Sequence, residues 1–351
     1  MELFQKICSA YGGKRVLVTG HTGFKGSWLC RILKKAGAQV YGYSLPADAL
    51  SMFRLCGNER ILSHFEGDVC NFSQLKEVFD SVKPQFVFHL AAQALVSEGY
   101  NFPMQTYAVN VMGTVNLLEC VRQSGGAESV LVVTTDKVYA ESKRALSEGD
   151  RLDGFDPYSN SKSCAELAAA CYRRSFPGFP ALSTVRAGNA IGGGDFAVNR
   201  ILPDCVRAAR AGREVVLRHP QAVRPYQHVM DVLCAYLVLA AEQAERPALS
   251  SAYNVAPPRG ASTEELAKLF SCFWGGVEIL KEEQEDAPHE AQSLRIRSEK
   301  LNQLFSDLPR CSLSVAVQKT VEWEKARLAG KEMAEVTDEQ IDAYFAGKWR
   351  A

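Results

Sequence analysis

The sequence predicts an α/β protein built on a doubly wound parallel sheet. Apolar runs rich in β-branched residues recur along the first half, and helical stretches separate them at short intervals. The runs are continuously apolar, which indicates strands buried on both faces. The first run, Arg15–Thr19, passes through a glycine-punctuated turn into a helix that is expected to begin near Gly26.

The turn after the first strand carries Gly20, Gly23 and Gly26 in a G-x-x-G-x-x-G pattern. Glycines there let the backbone bend tightly and approach a pyrophosphate, while the helix N-terminus faces the anion. Between this strand and this helix, the pattern predicts a dinucleotide site and a Rossmann-type fold. His21 and Lys25 could add positive charge beside the phosphates; the alternative is that they are solvated turn residues.

Composition sets limits on the class of protein. The 351 residues suit one large domain or two closely associated ones, with 47% hydrophobic and 23% charged residues. Lys plus Arg equals Asp plus Glu at 40 each, so neither a nucleic acid nor a membrane is an expected partner. The eleven scattered cysteines include no C-x-x-C pair, which predicts a reducing compartment and no metal site. Without a basic leader or a long apolar run, we expect a cytoplasmic protein.

The second strand is expected over Gln39–Leu45. A dinucleotide-binding fold usually supplies an acidic residue there for the adenosine ribose, and here Tyr43 and Ser44 take its place. Arg54, further along, could meet a 2′-phosphate. The residues alone therefore leave the choice between NAD and NADP open.

The third strand is expected over Ile61–Asp68, followed by a helix over Asn71–Ser81. Asp68 and Val69 at the strand end are suitably placed to receive an adenine amino group. The alternative for Asp68 is the N-cap of the helix.

The fourth strand, Gln85–Ala92, ends in small residues that let a cofactor lie close over it. His89 within it is expected to be a hydrogen-bonded core residue. An amphipathic helix over Asn110–Arg122 and a buried strand over Ser129–Thr135 continue the alternation.

A long helix is expected over Asp156–Phe176, and it carries Tyr158 and Lys162 four residues apart. The spacing puts both side chains on one helix face, about 6 Å apart. A neighbouring ammonium favours the phenolate and lowers the pKa of the tyrosine, as a tyrosine base near neutral pH requires. Together with the dinucleotide turn, the pair is expected to be catalytic.

Beyond a strand over Leu182–Gly188, the regular alternation ends in a glycine-rich loop, which indicates a nearby ligand. The remaining expected elements are helices Ile201–Ala211, Asp231–Ala244, Ser262–Phe273, Ser298–Phe305 and Ser314–Leu328, strands Glu214–Arg218, Ser251–Val255 and Val277–Leu280, and an exposed charged loop over 281–290. We therefore expect a smaller mixed α/β substrate domain laid over the sheet.

Eight segments, in the order in which they occur along the chain, carry a resemblance to a known protein family: VTGHTGFKGSW, HLAAQ, NVMGTVNLLE, TTDKVY, DPYSNSK, RAGNAIGGGD, RPYQHV and PHEA. With them the chain, from about Tyr11 to Phe345, resembles the extended short-chain dehydrogenase/reductases and, more narrowly, the CDP-glucose 4,6-dehydratases. The most specific segment is TTDKVY, because this family follows the Thr-Asp pair of sugar-nucleotide dehydratases with lysine rather than glutamate. The resemblance implies an NAD-binding domain over 1–185, to which segments around 225–256 return, and mainly nucleotide-sugar binding over 186–351.

The resemblance also implies a lyase reaction on CDP-glucose, in which NAD takes a hydride from C4 of the sugar and returns it to C6. The Tyr158 phenolate, supported by Lys162, takes the 4-hydroxyl proton, and Thr135 hydrogen-bonds that oxygen. Lys137 is the expected base at C5, and a protonated Asp136 is the expected acid for the departing C6 hydroxyl. The alternative for Asp136 and Lys137 is a surface ion pair at a strand end.

Cofactor contacts are expected from Gly20, Thr22, Gly23, Phe24, Lys25, Gly26, Asp68, Val69, Leu90, Ala91, Ala92, Tyr158 and Lys162. Substrate contacts are expected from Gln93, Asn189 and Arg224, and Arg224 can grip a phosphate with two N–H groups. His228 and His289 are expected to be structural.

The family implies a homodimer, with a tetramer as the alternative, formed by a four-helix contact of Asn110–Arg122 and Asp156–Phe176. It also implies a place in deoxysugar synthesis for lipopolysaccharide O-antigen. Two departures bear on the substrate: Ser97 and Glu98 stand where arginine or lysine beside a serine is common, and Ala140–Leu152 is short and lacks tryptophans.

Other functions remain open at this point. One is a 4,6-dehydratase, epimerase or ketoreductase acting on a different nucleotide sugar, and another is a catalytically silent dinucleotide-binding scaffold. An epimerase or ketoreductase has no use for an Asp-Lys pair beside the threonine. A silent scaffold has usually lost the tyrosine or lysine that this chain retains.

Overall fold

The computed structural model describes residues 2–282 and 293–349. The strands are β1 (Arg15–Thr19), β2 (Gln39–Ser44), β3 (Ser63–Glu66), β4 (Phe86–His89), β5 (Ser129–Val133), β6 (Ala181–Ala187), β7 (Ala190–Ile191), β8 (Val215–Leu217), β9 (Val223–Arg224), β10 (Gln227–His228), β11 (Ala252–Val255), β12 (Ala261–Ser262) and β13 (Ile279–Lys281). The α-helices are α1 (Glu2–Tyr11), α2 (Phe24–Lys35), α3 (Met52–Leu55), α4 (Phe72–Val82), α5 (Val96–Asn101), α6 (Pro103–Tyr107), α7 (Gly113–Ser124), α8 (Pro157–Ser175), α9 (Ile201–Arg210), α10 (Val229–Glu245), α11 (Thr263–Trp274), α12 (Glu299–Leu304), α13 (Leu313–Leu328) and α14 (Met333–Phe345).

Seven strands form one parallel sheet in the order β3-β2-β1-β4-β5-β6-β11. Val16 of the central strand β1 pairs with Val40 of β2 on one side and Phe86 of β4 on the other. The strand order reverses between β1 and β4, the point of a doubly wound sheet beside which ligands bind. The predicted fold class is confirmed.

Helices cover both faces of this sheet. On one face α2 packs through Trp28, Leu29, Ile32 and Leu33, all fully buried, against a core shared with α1 and the largely apolar α10. On the other face α4, α7 and α8 cover a second core, to which Leu117 belongs. Burying both faces explains why the strands read as continuous apolar runs.

The later part of the chain adds a smaller core between α9, α11, α13 and the strands β8 and β13. Three two-stranded sheets lie here, pairing β7 with β10, β9 with β12 and β8 with β13. The chain also returns to the main sheet, since β11 pairs with β6. None of the helices in the described ranges combines the length and hydropathy needed to cross a bilayer.

Several elements differ from the predicted ones. The helix after the glycine turn begins at Phe24 rather than Gly26, because Gly23 is its N-cap. The third strand is short, Ser63–Glu66, and a π-helical stretch over Ala108–Met112 precedes α7. The first and last helices, α1 and α14, were not predicted from the sequence. Most of the predicted charged loop, from 283 onward, lies outside the described residues.

Candidate active site

The glycine turn between β1 and α2 is built for close packing on one side and is open on the other. Gly20 has a φ of +72°, and a Cβ there would lie 2.6 Å from the backbone nitrogen of Ala91. A Cβ on Gly26 would lie 2.2 Å from the carbonyl oxygen of Gly20. A Cβ on Gly23 would meet only that same oxygen, at 3.4 Å, so the space beside Gly23 is free. This cradle at the N-terminus of α2 fits a dinucleotide pyrophosphate.

His21 has a different role from both predicted ones. Its side chain is fully buried, and its Nε2 lies 2.6 Å from Nδ1 of His64. Burial, together with His64, lowers the pKa of His21 to about 3. The ring fills the space above Gly42, where a Cβ would lie 2.3 Å from it. His21 is therefore neutral packing under the turn, and the prediction of either a charge beside the phosphates or a solvated residue is wrong.

The other side chains of the turn point in different directions. Thr22 shares a 2.7 Å hydrogen bond with the Ser44 hydroxyl at the end of β2. Phe24 packs into the core, next to Gly192. Lys25 lines the main cavity, where burial and the charge of Arg200 lower its pKa to about 8. Lys25 is therefore a half-buried cation that lines the cavity and not a fully solvated turn residue.

Asp68 and Val69, the residues expected to contact the adenine, follow β3. The Oδ1 atom of Asp68 accepts the backbone N–H of Cys70 at 2.9 Å, and the N-cap of α4 is Asn71. The N-cap alternative for Asp68 is therefore wrong. Arg54 donates to carbonyl oxygens of its own loop, at Ala47 and Asp48.

The end of β4 is fixed by a hydrogen-bonded histidine. His89 is buried between the hydroxyls of Thr19, at 2.7 Å, and Thr114, at 3.2 Å, which confirms it as a core residue. Leu90, Ala91 and Ala92 follow it, and the Ala91 N–H donates to the Thr19 hydroxyl at 3.3 Å. The backbone of Leu90 and Ala91 lies next to Gly20, at the edge where the sheet order reverses.

The candidate catalytic turn begins where β5 ends. Thr134 is anchored from behind, because its hydroxyl donates to the Oε1 atom of the buried Glu166 at 2.5 Å. Glu166 in turn accepts from Arg186 at 2.8 Å and from Thr184 at 2.6 Å. This buried ion pair holds the backbone from which the next residue, Thr135, faces the cavity.

Asp136 is not part of a surface ion pair. Its side chain is 2% exposed, its Oδ1 accepts from the Thr135 hydroxyl at 3.0 Å, and its Oδ2 has no partner among the described residues. Burial raises the pKa of Asp136, although Lys137, the Thr135 hydroxyl and Arg224 oppose the rise. The raised pKa is the direction that a proton donor requires.

Helix α8 brings Tyr158 to the main cavity of the molecule, whereas Lys162 is not among the described residues that line that cavity. Asp156 caps the N-terminus of the helix by accepting the Ser159 N–H at 3.0 Å. Lys162 is buried and donates to the carbonyl oxygen of Val133 at 3.0 Å. Burial, with Lys25 nearby, lowers the pKa of Lys162 to about 7.

The phenol of Tyr158 does not have the lowered pKa that the sequence predicted. Burial raises the pKa of Tyr158 to about 12, and hydrogen bonding to Thr135 offsets only part of the rise. Lys162 does not lower it, because its ammonium group is bound to the β5 carbonyl and is itself destabilised by burial. The chain's own charges therefore leave this tyrosine protonated, and that expectation is wrong for the protein alone.

A cavity of about 1250 Å³ joins these groups. Its lining includes these predicted residues: Lys25, Thr135, Asp136, Lys137, Tyr158, Asn189 and Arg224. Gln93 is not brought into it. The Gln93 side chain donates to the Thr106 hydroxyl at 2.9 Å and accepts the Leu95 N–H at 2.6 Å, so it braces the loop after β4.

Sequence reasoning missed four lysine and arginine side chains of the cavity, Lys143, Arg200, Arg218 and Arg295. Arg200 binds Asp195 at 2.9 Å and is placed by the glycine-rich loop that ends at Asp195. That loop was predicted to lie near a ligand, and the same reasoning could have included Arg200, the first cationic residue after the loop.

Within the described part of the chain, no three His, Cys, Asp or Glu side chains lie together as metal ligands.

Residues from both departures from the family pattern line this cavity. Ser97 lines it, as do Ala140, Glu141 and Lys143 of the short segment.

His228 is structural as predicted, since it is buried and its Nδ1 accepts the N–H of Met230 at 3.2 Å. His289 lies outside the described residues.

Comparison with known proteins adds independent evidence. Residues 16–256 match the NAD dependent epimerase/dehydratase family. The CDP-glucose 4,6-dehydratase of Salmonella typhimurium is 39% identical over 352 residues, covering 96% of this chain and 98% of that protein. The dTDP-D-glucose 4,6-dehydratase of Mus musculus is 26% identical and covers 88% of each chain.

Solved structures share the fold. A dTDP-glucose 4,6-dehydratase from Bacillus anthracis in complex with NAD matches with a TM-score of 0.77, at 21% identity, over 91% of this chain and 99% of that one. A UDP-glucose 4-epimerase from Thermotoga maritima with UDP-glucose matches with a TM-score of 0.78, at 24% identity, over 89% of this chain and 99% of that one.

Proposed function

The chain belongs to the NAD dependent epimerase/dehydratase family, and on this premise we propose that it is a lyase converting CDP-glucose to CDP-4-dehydro-6-deoxyglucose and water. The full-length similarity to a CDP-glucose 4,6-dehydratase supports this choice among the members of the family. The observation that carries the proposal is the turn Thr135–Asp136–Lys137, which lines one cavity together with Tyr158. An enzyme that only oxidises, reduces or epimerises C4 needs no acid and base for removing water.

The cofactor fits the cradle around Gly20, Gly23 and Gly26. When bound, NAD supplies the hydride acceptor for C4 of the glucose and the hydride donor for C6. The helix N-terminus at Gly23 would hold the pyrophosphate. Asp68 and Val69 would contact the adenine. The nicotinamide ribose would be faced by the segment from Leu90 to Ala92 and by Tyr158 and Lys162 of α8.

Four residues handle protons in the proposed reaction. Tyr158 accepts the proton of the 4-hydroxyl, and Thr135 hydrogen-bonds the same oxygen. The new ketone makes the C5 hydrogen acidic, and Lys137 removes it. Asp136 donates its proton to the departing C6 hydroxyl through Oδ2, the oxygen that has no partner among the described residues. The positive charge of the nicotinamide ring would favour the Tyr158 phenolate, which the chain's own groups do not.

The diphosphate of the substrate needs fixed cations. Arg224 is only 3% exposed and lines the cavity, which supports it as a phosphate ligand. Arg200 and Arg218 line the same cavity and would add charge, and Asn189 would donate from its amide. Arginine suits this task because it presents several N–H donors in a planar fork.

A homodimer is also proposed, through the π-helical stretch, α7 and α8. Exposed apolar side chains on and beside these helices support it: Met104 is 85% exposed, Met112 52% and Leu167 57%. A contact that covered them would remove apolar surface from water.

The eleven free cysteines support a reducing, cytoplasmic setting, and the role in O-antigen synthesis stays a prediction.

The proposed function is tested by incubating the protein with NAD and CDP-glucose, and in parallel with the UDP, dTDP and GDP sugars. The absorbance that 4-keto-6-deoxy sugars develop in alkali measures the product. We expect the product from CDP-glucose at a higher rate than from the other three. Conversion of UDP-glucose or dTDP-glucose at a higher rate would refute the choice of base, and absence of product from all four would refute the dehydratase.

A further inference from the structure

The proposed reaction needs two sets of groups to act on one sugar. Tyr158 starts it at the 4-hydroxyl, whereas Asp136 and Lys137 remove water from C5 and C6. Tyr158 belongs to helix α8, and the other two residues belong to the turn that follows β5. Dehydration therefore requires the turn and the helix to keep a fixed relative position. This requirement rests on the proposed function.

The hydrogen bonds inside the turn do not supply that position. The Thr135 hydroxyl donates to Oδ1 of Asp136 at 3.0 Å, and the Lys137 N–H donates to the same hydroxyl at 3.4 Å. These bonds join the residues of the turn to one another. Within residues 2–282 and 293–349, Oδ2 of Asp136 has no hydrogen-bond partner. The place of the carboxyl group is therefore set by the contacts that hold the two ends of the turn.

Helix α8 holds both ends. At the first end, the Thr134 hydroxyl donates to Oε1 of Glu166 at 2.5 Å. At the second end, the Ser163 hydroxyl donates to the carbonyl oxygen of Val138 at 2.7 Å. Ser163 and Glu166 lie three residues apart, which places them on one face of the helix. Each is only 3% exposed, so water has little access to either bond.

The Ser163 hydroxyl has a single proton, and Val138 is its nearer acceptor. The carbonyl oxygen of Ser159, inside α8, lies at 3.1 Å. The Ser163 oxygen in turn accepts the N–H of Gly154 at 3.1 Å. The N–H of Asp153 donates to the same Val138 carbonyl oxygen at 3.0 Å. Ser163 thus ties together the end of the turn, the helix and the segment that leads into the helix.

We propose that Ser163 and Glu166 are positioning residues for the loss of water, because they clamp the turn at both ends to the helix that carries Tyr158. With the clamp intact, Asp136 and Lys137 face C5 and C6 of the sugar whose C4 is oxidised. Without it, Tyr158 keeps its place in α8, but the acid and the base lose theirs. The clamp therefore contributes more to elimination than to oxidation.

The test uses Ser163→Ala and Thr134→Val, which each remove one hydroxyl and leave the ion pair of Glu166 with Arg186 in place. NAD-loaded protein is mixed with CDP-glucose in a single turnover. The absorbance of reduced nicotinamide measures oxidation, and the 4-keto-6-deoxy sugar measures elimination. Thr135 moves with the turn and contacts O4, so oxidation is also slowed, and the ratio of the two rates is compared.

In each variant we expect elimination to slow relative to oxidation by between about 10-fold and about 10²-fold, since a misplacement of about 1 Å costs about 10²-fold. Reduced nicotinamide should therefore accumulate before the product forms. The double variant, with both ends released, should accumulate more of it than either single variant.

Two control variants separate the clamp from a general loss of stability. Thr134→Ser keeps the hydroxyl and should keep the wild-type ratio of the two rates. Ser183→Ala removes a buried hydroxyl that donates to Gln243 of α10 at 2.5 Å and accepts the Ser251 N–H at 3.1 Å. It should lower the thermal stability about as much as Ser163→Ala and leave the ratio unchanged.

An unchanged ratio in Ser163→Ala and Thr134→Val would overturn the clamp, and so would a change of the same size in Ser183→Ala. Each of the first two variants tests one end of the turn by itself, so a variant that does not fold leaves the other as the test. A wild-type protein that forms no 4-keto-6-deoxy product would instead overturn the proposed function, and the role of the clamp with it.

Discussion

Replacing Lys162 by methionine should stabilise the free protein while removing a proposed contact to the nicotinamide ribose. The ammonium is buried, and its pKa of about 7 lies far below the ordinary lysine value of 10.5. Keeping this charge in the fold at pH 7 costs about 5 kcal/mol, at about 1.36 kcal/mol for each pH unit between the two values. The hydrogen bond to the Val133 carbonyl returns about 1.5–3 kcal/mol. Lys162→Met should therefore raise the free energy of unfolding by about 2–3.5 kcal/mol at pH 7.

The pH dependence fixes the sign of this effect. Between pH 7 and 10.5 the unfolded chain holds this proton more tightly than the folded one, so wild-type stability rises with pH across the window. The advantage of Lys162→Met should be largest at pH 7 or below and should disappear by about pH 9.5. Urea unfolding at both pH values measures it, with Lys6→Met on the exposed face of α1 as a matched control that should change little. A variant less stable than wild type at pH 7, or a gain independent of pH, would refute the reasoning.

Three further predictions concern the site. Tyr158→Phe should lose turnover while calorimetry still detects NAD and CDP-glucose binding, and activity within about tenfold of wild type would contradict its role as a base. Gly23→Ala should fold normally but bind NAD weakly, whereas Gly26→Ala should fail to fold, because only the second Cβ meets backbone at 2.2 Å; equal thermal stability of the two would be evidence against the cradle. Lys137→Ala should accumulate the 4-keto sugar with its C6 hydroxyl retained, and elimination at an unchanged rate, measured in a single turnover, would exclude Lys137 as the C5 base.

Much of the fold was predictable because strands buried on both faces appear in the sequence as continuous apolar runs. The run Arg15–Thr19 is a buried strand and the apolar face of α2 packs in the core, as predicted. Helix α14 was missed because its contacts are long-range: Tyr344 donates to Asp231 at 2.9 Å, 113 residues away in sequence. The spacing of neighbouring residues in the sequence does not reveal a contact between residues so far apart in the chain.

The site was harder to predict than the fold, because burial and partner choice decide what a side chain does. The turn position of His21 suggested a charge, yet its partner His64 comes from β3 and makes it neutral packing. Gln93 follows a strand end as a ligand residue would, but Thr106 and Leu95 occupy its amide. The i, i+4 spacing placed Tyr158 and Lys162 on one helix face, but spacing does not reveal that the ammonium binds the Val133 carbonyl.

Internal hydride transfer coupled to loss of water is the central claim, and one labelled substrate tests it. CDP-glucose carrying deuterium at C4 is converted by the NAD-loaded protein in ordinary water, and NMR and mass spectrometry locate the label in the product. We expect one deuterium in the C6 methyl group of the 4-keto sugar. Deuterium retained at C4, as an epimerase would leave it, or lost to solvent would contradict the account.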